Sequence, residues 1–354
     1  MDVGVVRKFL ILVLLLGAKV LAILESKVAD VLIKLLVVGG LCYGIYLNGE
    51  PIVYKTQALS DNVRTYIWYK TLPDDYFQKL EQESNRIYAE YLESIKPKPP
   101  VRNTEVPFPA ISARSHIIID VQTNTVLSSR DADLPLPPAS TAKLATALAS
   151  LQIYKLDEEI TVPQFCTQVD GTKAELVQGQ KFLVGDLLKA LLVYSAGDAG
   201  CTLSIGKVSY ADFIRLMNQV ASEAGLHNTK FTNPIGLDDA DGENLASAED
   251  LAKLGMFAVK NDFIREVVRL KEFDLRDLDG KYSKKLENTN KLLAEIPESV
   301  GIKTGTTTGA GEVLIYEYAK DKTDLIIVVM GSRDRFKDVG DSLTWVLSSY
   351  EWVD

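Results

Sequence analysis

Histidine is nearly absent from this 354-residue chain, with only His116 and His227. That excludes a multi-histidine metal centre and leaves little material for a serine-histidine-acid triad. Cysteine is as sparse: Cys42 lies inside an apolar run, while Cys166 and Cys201 fall further along. The last two can form a disulfide if that region is extracytoplasmic, although their spacing alone does not establish one. Positive charge is also in deficit. Asp and Glu outnumber Lys and Arg 48 to 39, for a formal net charge of −9. Nucleic acid is thereby excluded as a partner, because phosphate recognition needs clustered cations and no basic aromatic patch appears. There is no internal repeat or low-complexity tract, and no metal or cofactor is expected.

What is present is 47% hydrophobic and 25% charged, the balance of a globular protein carrying an apolar appendage. The length suits one catalytic-size domain with attachments and no second large domain. Two apolar runs open the chain. Residues 9–24 are interrupted only by Lys19 and preceded by Arg7 and Lys8; residues 31–47 are interrupted only by Lys34 and include Tyr43 and Tyr46. Each approaches the ~20 residues of a membrane span. Neither carries a convincing small-residue cleavage site, so residues 1–49 read as a retained membrane anchor of one or two helices. Arg7 and Lys8 put the N-terminus in the cytoplasm. Residues 31–47 are the preferred span, with the reverse assignment open.

Residues 50–105 read as an extracytoplasmic connector. Within it Phe77, Leu80, Ile87, Tyr88, Tyr91, Leu92 and Ile95 recur at helical spacing, predicting an amphipathic helix over 75–95 whose stripe is a packing or self-association face. Lys96-Pro97-Lys98-Pro99-Pro100 then breaks the helix and stiffens the chain. Residues 106–354 read as the catalytic domain. Strand-like runs at 116–120, 125–127, 311–318 and 325–330 flank a helical middle, an α+β pattern.

Pro138-Ala139-Ser140-Thr141-Ala142-Lys143 places a hydroxyl and an amine three residues apart just behind a double proline. Proline suits a first helical turn, and positions i and i+3 share a face, so Ser140 lies near a helix N-terminus with Lys143 as its proton acceptor. In isolation the same residues read as an N-cap serine and a solvated lysine. Two further motifs accompany them: Tyr194-Ser195-Ala196-Gly197-Asp198, and Gly301-Ile302-Lys303-Thr304-Gly305-Thr306-Thr307.

Ser-x-x-Lys followed by a Ser-x-Asn-type element and Lys-Thr-Gly is the signature of penicillin-binding proteins and class A β-lactamases. In order and surroundings the chain resembles the serine-type D-alanyl-D-alanine carboxypeptidases, the low-molecular-mass penicillin-binding proteins, over about residues 107–350. The resemblance extends through Phe231-Thr232-Asn233-Pro234-Ile235-Gly236-Leu237-Asp238 and Asn288-Thr289-Asn290-Lys291. It implies a β-lactamase/DD-peptidase-like fold: an antiparallel sheet flanked by helices, with a helical subdomain. By resemblance, Ser140 is the nucleophile, Lys143 the general base and Ser195 the proton relay. Lys303, Thr304, Gly305 and Thr306 bind substrate, and the backbone amides of Ser140 and Thr306 form the oxyanion hole. A second cation at Lys303 would help keep Lys143 neutral.

The implied partners are the peptidoglycan stem peptide and, as covalent inhibitors, β-lactams. The implied location is the outer side of the plasma membrane. One departure stands out, Gly197 where the family usually has Asn. It keeps a non-catalytic wall-peptide sensor in view, beside endopeptidase or transpeptidase activity. A β-lactamase is the remaining alternative, but no Glu-x-x-Leu-Asn element for deacylation lies between Ser195 and Lys303.

Overall fold

The computed structural model describes residues 76–238 and 244–353. The expected anchor at 1–49 and the expected connector up to residue 75 lie outside the described residues. Among the described residues no helix is long and apolar enough to cross a membrane. The chain divides into two units, Met1–Lys96 and Pro97–Asp354.

In the first unit the helical spacing yields α1, Tyr76–Ile95. Arg86 bridges Glu83 and Glu90 at 2.6 and 2.8 Å, the i,i+3 and i,i+4 pairing that supports an exposed helix. On its stripe Ile87, Tyr88, Tyr91 and Leu92 are exposed.

The second unit begins nine residues before the boundary read from sequence. Strand β1, Val101–Arg102, pairs with the last strand, and Arg102 stacks over the Trp345 ring. Then follow β2 (Ser115–Asp120), β3 (Thr125–Arg130), a 3₁₀ turn (Ala139–Ala142), α2 (Lys143–Ile153), β4 (Glu159–Thr161) and β5 (Lys181–Leu183). The helical middle comprises α3 (Val184–Lys189), α4 (Gly197–Ile205), α5 (Tyr210–Glu223), α6 (Ala248–Ala258) and α7 (Asp262–Val268). After it come β6 (Glu272–Arg276), β7 (Ser283–Glu287), α8 (Leu292–Glu295), β8 (Ser299–Thr307), β9 (Gly311–Lys320), β10 (Thr323–Ser332), α9 (Arg335–Ser349) and β11 (Tyr350–Glu351).

Five strands form one antiparallel sheet in the order β3-β2-β10-β9-β8. Successive side chains of a strand point to opposite faces, and here both faces are covered, so the central strands read as unbroken apolar runs. Ile117, Ile119, Ile326, Val328 and Met330 enter the core shared with the helical subdomain. Their neighbours Ile118, Ile327 and Val329 enter a second core with Val339, Leu343 and Trp345 of α9. Helix α2 is buried on nearly every side, which its run of alanines permits by letting neighbours approach closely. That burial fixes the first motif between the sheet and the helical subdomain.

Candidate active site

Ser140 sits in the 3₁₀ turn that leads into α2, directly after Ala139, whose φ of 49° lies in the left-handed region. A non-glycine residue there is strained, and such strain gathers at functional sites. The turn presents the Ser140 hydroxyl one helical turn from Lys143, and Lys143 Nζ lies 2.6 Å from Ser140 Oγ. Lys143 is also held by the Ile235 carbonyl at 2.8 Å and is itself buried. Burial pulls its amine down from 10.5 to about 7, against the opposing pull of the Asp198 carboxylate.

Ser195 follows a π turn, Ala190–Tyr194, and adopts a φ of 65°. Its hydroxyl is buried and makes no hydrogen bond among the described residues, so the Ser140–Lys143 pair is formed while a Ser195 leg is not. Gly197 is walled by a loop. Its N–H donates to Thr172 O at 2.8 Å, and a Cβ there would stand 3.3 Å from that oxygen and 3.5 Å from Val169 Cγ2. Asp198 fixes the loop from inside, accepting the N–H groups of Ala174 and Leu176 at 3.0 Å each. A disulfide between Cys166 and Cys201 ties the same loop to α4.

Lys303, Thr304 and Gly305 are buried on β8, and Thr306 is exposed at its end. Lys303 Nζ donates to Thr304 O at 3.1 Å. Its amine falls well below 10.5 through burial, then through repulsion from Lys143 and Arg335. For Lys143 burial is the dominant cause. Gly305 keeps the strand against the turn that carries Ser140: a Cβ would stand 2.9 Å from Ala139 Cβ and from Ser140 N.

Three groups with no role in the sequence reading join this site. Arg335, at the start of α9, donates to Gly305 O at 2.7 Å and to Thr306 Oγ1. Burial lowers its guanidinium from the usual range. Thr289 joins the second and third motifs, donating its N–H to Val193 O at 3.1 Å and placing its hydroxyl 2.6 Å from Thr304 Oγ1. The Asn233 side-chain oxygen accepts from Gly236 N at 2.8 Å and shapes the turn that carries Ile235. Asn233 and Thr289 lie in matched stretches of the resemblance, while Arg335 had no motif around it.

His116 takes no part. It is buried on β2, stacked on Phe108 at 4.6 Å with Nε2 3.0 Å from Ser128 Oγ, and burial holds it neutral down to about 4. No group of three or more His, Cys, Asp or Glu side chains among the described residues is arranged to hold a metal ion. The arrangement is a serine hydroxyl within hydrogen-bond distance of a buried lysine amine, beside the edge strand β8.

The profile of the peptidase S11 family, described as D-alanyl-D-alanine carboxypeptidase, matches residues 102–334. A D-alanyl-D-alanine carboxypeptidase of Escherichia coli K12, DacC, is 33% identical over 263 residues, 69% of this chain and 64% of its own length. The DacF enzyme of Bacillus subtilis 168 is 29% identical over 252 residues, 68% of this chain and 64% of its own length. The chain thus spans just under two thirds of these relatives. The crystal structure of the Streptomyces K15 DD-transpeptidase superposes with a TM-score of 0.65 at 28% identity, covering 69% of this chain and all of the other.

Proposed function

This chain belongs to the peptidase S11 family, and we propose that it is a serine D-alanyl-D-alanine carboxypeptidase acting on peptidoglycan stem peptides through an acyl-serine intermediate. The observation that carries this reading is the 2.6 Å contact between Ser140 Oγ and an amine whose pKa lies near neutrality. A serine hydroxyl attacks only when its proton has somewhere to go, and a lysine accepts it only when neutral.

In the proposed reaction Ser140 Oγ attacks the carbonyl carbon between the two terminal D-alanines, and its proton passes to Lys143 Nζ. The resulting oxyanion is held by the backbone amides of Ser140 and Thr306, donors typically worth ~3 kcal/mol each. Collapse breaks the C–N bond, and the leaving amine takes its proton from Lys143 by way of Ser195, whose buried hydroxyl makes no other hydrogen bond among the described residues and can bridge the two once substrate is bound. Water then hydrolyses the ester. Thr304 and Gly305 line the strand that receives the peptide. Lys303 would bind the substrate's terminal carboxylate together with the exposed Thr306, and the half-buried Arg335 stands at the same end of the strand.

The endopeptidase, transpeptidase, β-lactamase and sensor readings are not favoured over this one, although a solved structural neighbour is a transpeptidase. We further propose that residues 1–49 anchor the chain in the plasma membrane with the second unit outside, a location that suits the Cys166–Cys201 disulfide. β-Lactams would be covalent inhibitors. Incubating the full chain with a fluorescent penicillin tests the reading: an adduct mapped to Ser140, absent in Ser140→Ala, together with D-alanine release from a stem pentapeptide, is the expected result. A folded protein that forms no adduct would overturn it.

A further inference from the structure

The stretch Asn233–Asp238 is absorbed by none of the three motifs, yet it touches parts of the site on both sides of Ser140. Its Ile235 carbonyl holds Lys143 Nζ at 2.8 Å. Gly236, at a φ of 76°, lies so close under the nucleophile's turn that a Cβ would fall 1.9 Å from Ala139 O. Its last residue, Asp238, reaches the hairpin between β8 and β9. Asp238 Oδ1 accepts the Thr307 hydroxyl at 2.7 Å, and Oδ2 accepts Gly309 N–H at 2.9 Å.

The stretch is tied down by side-chain hydrogen bonds. The Asn233 side-chain oxygen accepts from the amides of Gly236 and Leu237 at 2.8 and 3.2 Å, while its Nδ2 donates to Leu237 O at 3.0 Å. The buried Asn244 oxygen in turn receives the amides of Thr232 and Asn233 at 2.6 and 3.1 Å. A carboxylate carried on such a base sets the position of whatever it grips. What it grips begins one residue after Thr306. From another direction Arg335 holds Gly305 O and Thr306 Oγ1, so the end of β8 is fixed by two side chains from separate segments.

We propose that Asp238 is a positioning residue for acyl transfer, its two-pronged grip on Thr307 and Gly309 placing the Thr306 amide over the Ser140 oxyanion. The proposal rests on the carboxypeptidase reading for the role of Thr306, and it adds a residue that acts through the hairpin without touching substrate. Asp238 is exposed, so truncating it leaves the core packing intact. A displaced donor weakens transition-state stabilisation, and two hydrogen bonds to a carboxylate are enough to hold or lose that placement.

Acylation by a fluorescent penicillin and amide hydrogen exchange of residues 305–309 test this in the full chain, comparing wild type, Asp238→Ala and Asp238→Asn. Asp238→Ala should slow acylation about tenfold or more and speed exchange at Thr306, with the pH midpoint of acylation and the melting temperature essentially unchanged. Asp238→Asn keeps an oxygen for Gly309 N–H and an N–H for the Thr307 hydroxyl oxygen, so it should recover most of both. Wild-type acylation and exchange in Asp238→Ala would overturn the proposal. So would a rate loss that tracks a lowered melting temperature and is not recovered by Asn. If wild type itself forms no adduct, the carboxypeptidase reading fails, and the exchange data alone decide the positioning: unchanged exchange overturns it.

Discussion

Lys143 is where residue chemistry constrains function most tightly. On the proposed mechanism its neutral form is the base, and its folded pKa is about 7, so acylation should rise with pH through about 7 and level off above it. Measuring the second-order acylation rate from pH 5 to 9 checks this; a flat profile would remove Lys143 from the role. The same depression acts on stability. Between about 7 and 10.5 the unfolded chain carries a proton on Lys143 that the folded chain lacks, so this group makes unfolding free energy increase as pH rises across that window. Lys143→Met should therefore raise the melting temperature near neutral pH by a few degrees while abolishing acylation, the trade-off expected where a site stores desolvation cost. Ser140 and Lys143 were legible because their spacing and the prolines before them carry a chemical meaning. Arg335 was not: nothing adjacent marks it, and it reaches the site only because α9 starts where β8 ends.

At the scale of elements, glycines decide how closely the motif segments approach. Gly236→Ala combines a left-handed φ with a Cβ 1.9 Å from Ala139 O, so the turn carrying Ser140 must move. It should lower the melting temperature markedly and cut acylation by orders of magnitude, as thermal denaturation and penicillin labelling would report. Gly197→Asn is not a free restoration of the family's usual amide, because the backbone of Asp170 and Thr172 borders that space. It requires a shift of the loop, visible as altered amide exchange across 169–172. The strands at 311–318 and 325–330 were readable because burial on both faces makes them unbroken apolar runs. Helix α1 was readable from its periodicity, although Ile87, Tyr88, Tyr91 and Leu92 on its stripe are exposed. The β6–β7 hairpin escaped notice: only Phe273, Leu275 and Leu286 point toward the core, and charged neighbours mask the alternation. The π turn before Ser195 also left no mark, since Ala190–Tyr194 reads as a continuation of the helix that precedes it.

For the whole molecule, the Cys166–Cys201 bridge closes a segment with a sequence separation of 35. In the chain-entropy account that restricts the unfolded state by about 3–4 kcal/mol. A Cys166→Ser/Cys201→Ser variant should therefore lose about 2–4 kcal/mol in denaturant unfolding, and an unchanged midpoint would show that the loop is held by Asp198 and Gly197 alone. The sequence could place both cysteines in the globular part but not pair them, because pairing depends on how the loop folds onto α4. The strand order has a consequence of its own. Strand β2, near the start of the domain, is hydrogen-bonded to β10, near its end, and β1 pairs with β11. The sheet can therefore close only after residue 332 has been made, and a nascent chain that ends between residues 143 and 332 carries Ser140 and Lys143 without a completed sheet behind them. On the proposed mechanism, reactivity at Ser140 is thus expected only after β10 has joined β2 to β9.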